Sequence, residues 1–369
     1  MTQILLVIGT FLTSFAGGLV IIPRILSFCR KRGLYDLPDA RKRHTAPVPR
    51  LGGVCFLPCM GISFALAALA IYMSDGRAAS VSVSSVLLLA GVVVVYAVGV
   101  IDDLVGVCAR NKFAVQIVSA CVLPLGGMYI NNLYGFLGFG EIPFYVGMPL
   151  TVFLVVAIEN AMNLIDGIDG LCAGLSVIAL AGYGLMFASL GFWVFCVVIA
   201  GLAGVVMAYS YFNLFRPSRK IFMGDSGSLT LGFLLAVFFV KLSMDNPQLA
   251  AYDARRMVVA ASFLVVPCLD VARVMLRRRR EGRPLFSPDR NHIHHRLIDA
   301  GLTPHRALAV ILALALFFVA ADALLVWLGV QCTWVAAADV ALFWLFHQGV
   351  KRHGRGSRFH IVNKNKLDI

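Results

Sequence analysis

Apolar runs of roughly bilayer length recur along the whole chain, separated by short polar segments. Eleven can be marked: Ile4–Phe28, Leu51–Met73, Val83–Ile101, Phe113–Ile130, Pro143–Ile158, Leu171–Leu190, Phe192–Tyr211, Ser228–Met244, Met257–Leu276, Ala307–Leu328 and Val330–Val350. A helix needs about 20 predominantly apolar residues to cross ~30 Å of hydrocarbon. The pattern therefore predicts an all-α polytopic membrane protein of about eleven transmembrane helices. Two boundaries rest on single glycines, Gly191 and Gly329. The first run is too long for a signal-peptide core and no small-residue cleavage pattern follows it, so it reads as a retained span. Residues 1–350 form one integral domain with no convincing repeat. Residues 351–369 are polar and basic without apolar periodicity, and are expected to lie loosely ordered at the membrane surface.

Composition agrees. Only 14% of the 369 residues are charged, 60% are hydrophobic and mean hydropathy is +0.85, which excludes an ordinary soluble domain. A net charge of +13 on a soluble chain would suggest nucleic acid. Here its distribution argues for topology and contact with membrane lipid instead, with no nucleic-acid partner. Of the 32 Lys and Arg residues, 28 fall on one alternating set of loops, leaving only Arg77, Lys241, Arg255 and Arg256 on the other side. Positive loops stay inside, so the N-terminus is expected outside and the C-terminus in the cytoplasm, as an odd number of crossings requires. The nine cysteines read as small buried hydrophobes, because they are scattered through apolar runs without ligand spacing.

The chemistry-bearing residues fall into five clusters, all on the expected cytoplasmic side. N-A-M-N-L-I-D-G-I-D-G-L, Asn160 to Leu171, sets Asn160, Asn163, Asp166 and Asp169 directly after an apolar run. Its glycines allow a tight turn, and its amide and carboxylate oxygens suit a hard cation and the phosphates it carries. The bland alternative is a capped helix end. Asp102 and Asp103 end another span. Two adjacent carboxylates at that depth are costly unless a cation joins them, and Lys112 follows as a partner or phosphate contact. Asp225, in F-M-G-D-S-G-S, sits where a span begins, beside Arg219 and Lys220. It is either a turn residue or part of a phosphate and metal site at a helix start. L-P-D-A-R-K-R-H-T-A-P-V-P-R-L-G-G, Leu37 to Gly53, is a stiff basic loop that could serve topology as well as a site. The last cluster runs from Arg277 to Leu297. Its arginines read as a lipid signal, while His292, His294, His295 and Arg296 make a donor surface for a diphosphate, or hold Zn²⁺ or Ni²⁺. Asp270, three before Arg273, reads as a structural helical ion pair.

These motifs, in this order, resemble the polyprenyl-phosphate N-acetylhexosamine-1-phosphate transferases, the WecA/TagO branch of the superfamily that also holds MraY. The resemblance spans about Leu37 to Leu297 and rests on R-K-R-H-x-x-P-V-P-R-L-G-G, I-D-D-L-x-G, N-A-M-N-L-I-D-G-I-D-G-L, F-M-G-D-S-G-S and P-D-R-N-H-I-H-H-R-L. It implies an eleven-span fold in a bacterial inner membrane, a cytoplasmic-face site and often a homodimer. It also implies transfer of a sugar 1-phosphate from a UDP-N-acetylhexosamine, most simply UDP-GlcNAc, to undecaprenyl or another polyprenyl phosphate. UMP would leave and a lipid-linked cell-surface glycan would begin. By the same resemblance Asn163 and Asp225 match positions that hold Mg²⁺ (or Mn²⁺), and Asp169 matches a uracil contact. Lys112 matches a phosphate contact, and the histidines match a group near the diphosphate. Asp102 and Asp103 match a pair assigned either to base or to metal duty; Asn160, Asp166 and Arg296 join the substrate-binding group. Where some members carry a third acidic residue after the pair, this chain has Gly106. Its H-I-H-H pattern differs from the muramoyl-pentapeptide branch and favours a simple amino sugar.

The expected reaction exchanges one phosphoanhydride for another and is nearly thermoneutral. A rival of another class is an ion- or proton-coupled transporter, which would place its polar residues near mid-span and show repeat symmetry.

Overall fold

The computed structural model describes residues 2–36, 47–75, 82–245, 254–284 and 291–367. The described chain is almost wholly helical. Helix α1 (Thr2–Arg32) leads to a minimal antiparallel hairpin of β1 (Tyr35–Asp36) and β2 (Val48–Pro49), then α2 (Phe56–Asp75). There follow α3 (Val83–Val105), α4 (Ala109–Leu125), α5 (Phe144–Ile165), α6 (Leu171–Ser189), α7 (Trp193–Phe215) and α8 (Gly224–Ser243). The chain ends with α9 (Ala254–Ser262), α10 (Val265–Arg280), α11 (Ile293–Asp299), α12 (Pro304–Trp327) and α13 (Cys332–Leu367).

Eight described helices are long and apolar enough to cross a bilayer, and α9 with α10 make a ninth candidate, bent by 74°. The protein is thus polytopic. Each expected span has a helical counterpart, although α4 and α13 do not meet the same criterion among the described residues. The bend follows from Pro267 in the first turn of α10. Proline lacks an N–H, and its ring excludes the carbonyl four residues back, that of Phe263. The splits at Gly191 and Gly329 are real, with φ of 76° and 79°.

The core is built around α8. Helices α3, α5, α6 and α9 pack about it, and nearly all its side chains are buried, polar Ser226, Ser228, Thr230 and Ser243 included. A helix that is apolar all round belongs inside a bundle. Lipid is as apolar as leucine, so close backbone approach must supply the attraction. Small residues permit it. A methyl group on Gly99 of α3 would meet the Ser226 backbone, and one on Gly232 would meet the Glu159 backbone of α5. The outer helices instead turn large apolar side chains outward, as at Leu5, Leu12, Leu89, Phe153 and Trp344.

At the ends that carry the polar clusters the helices run further than the hydropathy reading. Helix α3 runs past Ile101 to Val105, α4 begins at Ala109, α5 continues to Ile165 and α8 begins at Gly224. Asp102, Asp103, Lys112, Asn160, Asn163 and Asp225 are therefore helical residues in end turns, where loops were expected. Helix α13 runs on to Leu367, so the backbone of the expected loose tail is helical. No proline stops the helix after Val350, and extending a formed helix costs far less than nucleating one. Cys108 is exposed in the short link before α4, in contrast to the expectation that all nine cysteines are buried. The basic run Arg41 to Arg43, His44, and Pro288 to Arg290 lie outside the described residues.

Gly232→Leu should force a side chain into the α5 backbone and cost about 1–3 kcal/mol of stability. Thermal melting of detergent-purified protein should show a lowered Tm, whereas Gly61→Leu, with open space around it, should melt like the parent.

Candidate active site

The end turns of α3 and α5 and the start of α8 meet at one rim of the bundle. Asp103, 4% exposed, spans the joint: its carboxylate accepts the N–H of Asp225 at 2.9 Å and of Ser226 at 3.0 Å. It thereby caps α8, satisfying donors that the helix itself cannot. Gly224, at φ 73°, must be glycine twice over, since a Cβ there would also overlap the Asp103 carboxylate. The segment before α8 is pinned as well. Phe222 N–H donates to Pro49 O at 2.7 Å, Gly52 N–H to Phe222 O at 2.9 Å, and Gly53 N–H to Met223 O at 2.7 Å.

Asp102 and Asp225 face each other across Lys112. The ammonium lies 3.2 Å from Asp102 Oδ2 and 2.8 Å from Asp225 Oδ2. Asp102 Oδ1 also accepts the Val107 N–H at 2.6 Å, which closes the turn at Gly106. The Asn163 amide donates to Asp225 Oδ1 at 3.1 Å and to Ser228 Oγ at 2.8 Å. Carboxylate oxygens of Asp102, Asp103 and Asp225 lie within 4.8 Å of one another, close enough to hold a metal ion.

Asp102, Asp103, Asn163, Asp225 and Ser228 line a cavity of about 500 Å³. Asp166, Asp169, Asn213, Lys220 and Phe222 line it as well. Lys220 bonds Asp169 Oδ2 at 2.6 Å and sits over the Phe222 ring. Asn213 braces the turn of the N-A-M-N-L-I-D-G-I-D-G-L motif: its oxygen accepts the Gly170 N–H at 2.7 Å and its amide donates to Ile221 O at 2.9 Å. Burial, and then the charges of Asp225, Asp169 and Asp103, push the Asp166 carboxyl up to about 7. So much anionic charge in one recess is what a hard divalent cation relieves, and the donors nearest the centre are all oxygens.

The histidine group divides. His295 lines the cavity. His294 is buried with its ring against Gly167, where any Cβ would overlap it. His292 points the other way, its Nδ1 2.9 Å from buried Asp270, whose Oδ1 takes the Ile293 N–H and the Arg273 guanidinium. Arg273 also donates to Asn291 O. The expected Asp270–Arg273 pair is present and carries the added task of seating α11. Arg296 bonds the ring of His347 on α13 at 3.0 Å, away from the cavity. Asn160 does not line the cavity either; its amide donates to Gln116 Oε1 at 3.1 Å and to Val156 O.

Sequence reasoning passed over Arg50, Asn213 and Phe222 as site residues and used Lys220 only as a neighbour. Asn213 is 43 residues from Gly170, whose N–H it accepts, so spacing carried no signal for it. Phe222 and Lys220 stand in or beside F-M-G-D-S-G-S, which pointed to Asp225 alone. Arg50, in P-V-P-R-L-G-G, was visible only as one charge in a basic loop. Glu159, Asp322 and Asp339 are also buried within helices, away from the rim where the polar chemistry was expected.

A family model described as glycosyl transferase family 4 matches residues 85–243, which carry Asp102, Lys112, Asn163, Asp169 and Asp225. The chain is 31% identical over 350 residues to the undecaprenyl-phosphate alpha-N-acetylglucosaminyl 1-phosphate transferase of Escherichia coli K12, covering 92% of this chain and 89% of that one. It is 37% identical over 324 residues to the decaprenyl-phosphate N-acetylglucosaminephosphotransferase of Mycobacterium tuberculosis H37Rv, covering 82% and 77%. Likeness at this level, extending over most of both chains, means that the chain belongs to the MraY-like family of polyprenyl-phosphate N-acetylhexosamine-1-phosphate transferases.

Proposed function

We propose that this protein transfers N-acetylglucosamine 1-phosphate from UDP-GlcNAc to undecaprenyl phosphate, releasing UMP and starting a lipid-linked cell-surface glycan. The observation that carries the reading is the meeting of Asp102 and Asp225, from two helices, at the cavity, with Lys112 of a third helix bonded to both. The relatives act on undecaprenyl or decaprenyl phosphate, and their similarity over most of the chain disfavours the transporter.

Asp102 and Asp225 would hold Mg²⁺, with Asn163 steering the Asp225 carboxylate and Asp103 keeping α8 in place. A bound divalent ion would screen the repulsion between two phosphate anions and orient them in line. Lys112, tethered between the two carboxylates, presents positive charge to a phosphate. Asp169, Lys220, Asn213 and Phe222 offer the polar contacts and flat ring that suit the nucleotide. His295 reaches the cavity directly, and His294 supports the turn at Gly167. His292 and Arg296 act through Asp270 and His347, by holding that loop.

No strong base is required. The second pKa of a phosphate monoester is about 6, so the acceptor is mostly dianionic at pH 7. Asp102 then serves in binding and positioning. Eleven crossings, with the N-terminus outside and the cavity on the cytoplasmic face of a bacterial inner membrane, complete the reading. A homodimer is part of it.

Purified protein with Mg²⁺, a short-chain polyprenyl phosphate and a panel of UDP-sugars should release UMP with UDP-GlcNAc. Release from no donor by folded protein would refute the transferase. EDTA should abolish release and Mg²⁺ restore it. Asp102→Asn and Asp225→Asn should lower turnover ~100-fold or more while melting normally, in line with loss of a group that stabilises transition-state charge. Asp103→Asn should instead lower Tm, because its amide sets a donor against the start of α8, at a cost of about 1–3 kcal/mol. Orientation can be read from a variant that keeps Cys108 as its single cysteine. An impermeant maleimide should label it in inverted vesicles and leave it untouched in spheroplasts.

A further inference from the structure

We propose that Arg50 is a phosphate-binding residue whose guanidinium holds a phosphoryl group of one of the two substrates. The inference rests on the transferase reading above and adds a ligand contact to it. Arg50 lines the cavity and is half-buried. Its Nε–H donates to the backbone carbonyl of Asp103 at 2.8 Å. That bond aims the planar fork, and among the described residues the terminal nitrogens make no hydrogen bond or ion pair.

The contrast with the other two cations at the cavity decides the matter. Lys112 is held by Asp102 and Asp225, and Lys220 by Asp169. Arg50 stands beside the same carboxylates and pairs with none of them. A guanidinium set among six lining carboxylates (Asp36, Asp102, Asp103, Asp166, Asp169 and Asp225) without an ion pair keeps its bidentate face for another anion.

Its backbone is also held in place by its neighbours. Pro49 and Gly52, on either side, hydrogen-bond to Phe222, and the Arg50 carbonyl packs against Gly224 so closely that no Cβ fits. Arg50 is thus fixed against Gly224 at the start of α8, next to the proposed metal ligands, and it touches their network only through the Asp103 carbonyl. Two parallel N–H donors in that position match a phosphoryl group better than a lysine would.

The phosphoryl group could belong to the lipid monoester or to the diphosphate of the donor, and separate KM values distinguish the two. UMP release should be measured for the wild type, Arg50→Lys and Arg50→Ala, varying UDP-GlcNAc and polyprenyl phosphate in turn at saturating Mg²⁺. In Arg50→Ala the KM for one substrate should rise roughly 10- to 100-fold, the loss expected for a charge-assisted hydrogen bond. Arg50→Lys should recover only part of it, and added guanidinium ion should partly rescue Arg50→Ala. The substrate whose KM moves identifies the phosphate.

A fall in kcat with both KM values within twofold of wild type, and no rescue by guanidinium, would leave Arg50 only as a tether for Asp103 and overturn the proposal. Retention of radiolabelled UDP-GlcNAc and polyprenyl phosphate by the same proteins gives a readout independent of turnover. Equal retention of both ligands by wild type and Arg50→Ala also overturns it. An inactive wild type that binds one of them through Arg50 would sink the transferase reading and leave this inference standing.

Discussion

The start of α8 is the constraint on which the rest depends. A helix buried on every side has to satisfy its first N–H groups without water, and here the donor of Asp225 and that of Ser226 are taken by one carboxylate from α3. An isolated carboxylate at that depth would be expensive. Set against the positive end of a helix and two N–H donors, it becomes a joint between two spans. The joint places Asp225 opposite Asp102, and Gly224 and Gly99 keep the backbones close enough for it to form. The functional rim is therefore defined mainly by backbone contacts, with side chains hung on a frame that tolerates little movement.

That explains why two adjacent aspartates, indistinguishable as text, have different surroundings. Successive residues of a helix point about 100° apart. Asp103 faces α8 and spends both oxygens there, while Asp102 faces Lys112 and the cavity. The histidines separate for the same reason. Residues at 292, 294 and 295 straddle the start of α11, so His292 turns back to Asp270 as His295 turns to the cavity. Reading the motifs found the right neighbourhood but could not sort its members, because sorting depends on where a helix begins.

The helices themselves were legible, since an apolar run of membrane length has one economical fold. Their ends were not. Hydropathy falls where polar residues begin, yet α3, α5 and α8 carry Asp103, Asn163 and Asp225 in helical end turns. Hydropathy measures cost in lipid, and those turns look inward to a polar recess. Glu159, Asp322 and Asp339 escaped for a related reason: each is one acid in a long apolar run, and neighbouring helices cover it. Asn213 and Phe222 illustrate a third limit. They serve the turn at Gly170 and the mouth of α8 through contacts between elements, which no local pattern encodes.

The charge balance of the cavity sets a problem that its own cations do not solve. Six carboxylates line it; Lys220, which lines it too, and Lys112, bonded to two of those acids, are each already paired. Left so, the recess would repel the phosphates that its family must bring together. Further lysines would be drawn to carboxylates as Lys112 and Lys220 are, leaving only part of their charge for a phosphate. Two kinds of group escape that capture. A small divalent ion takes up the charge of two carboxylates at one point and has further coordination positions for phosphate oxygens, while Asp102 stays bonded to Val107 and Asp225 to Asn163. A guanidinium tied to a neutral carbonyl is the other, since its charge is positioned without being neutralised. The acids at this rim thus gather and place positive charge, and the net attraction for phosphate comes from the cations whose charge is not fully balanced there.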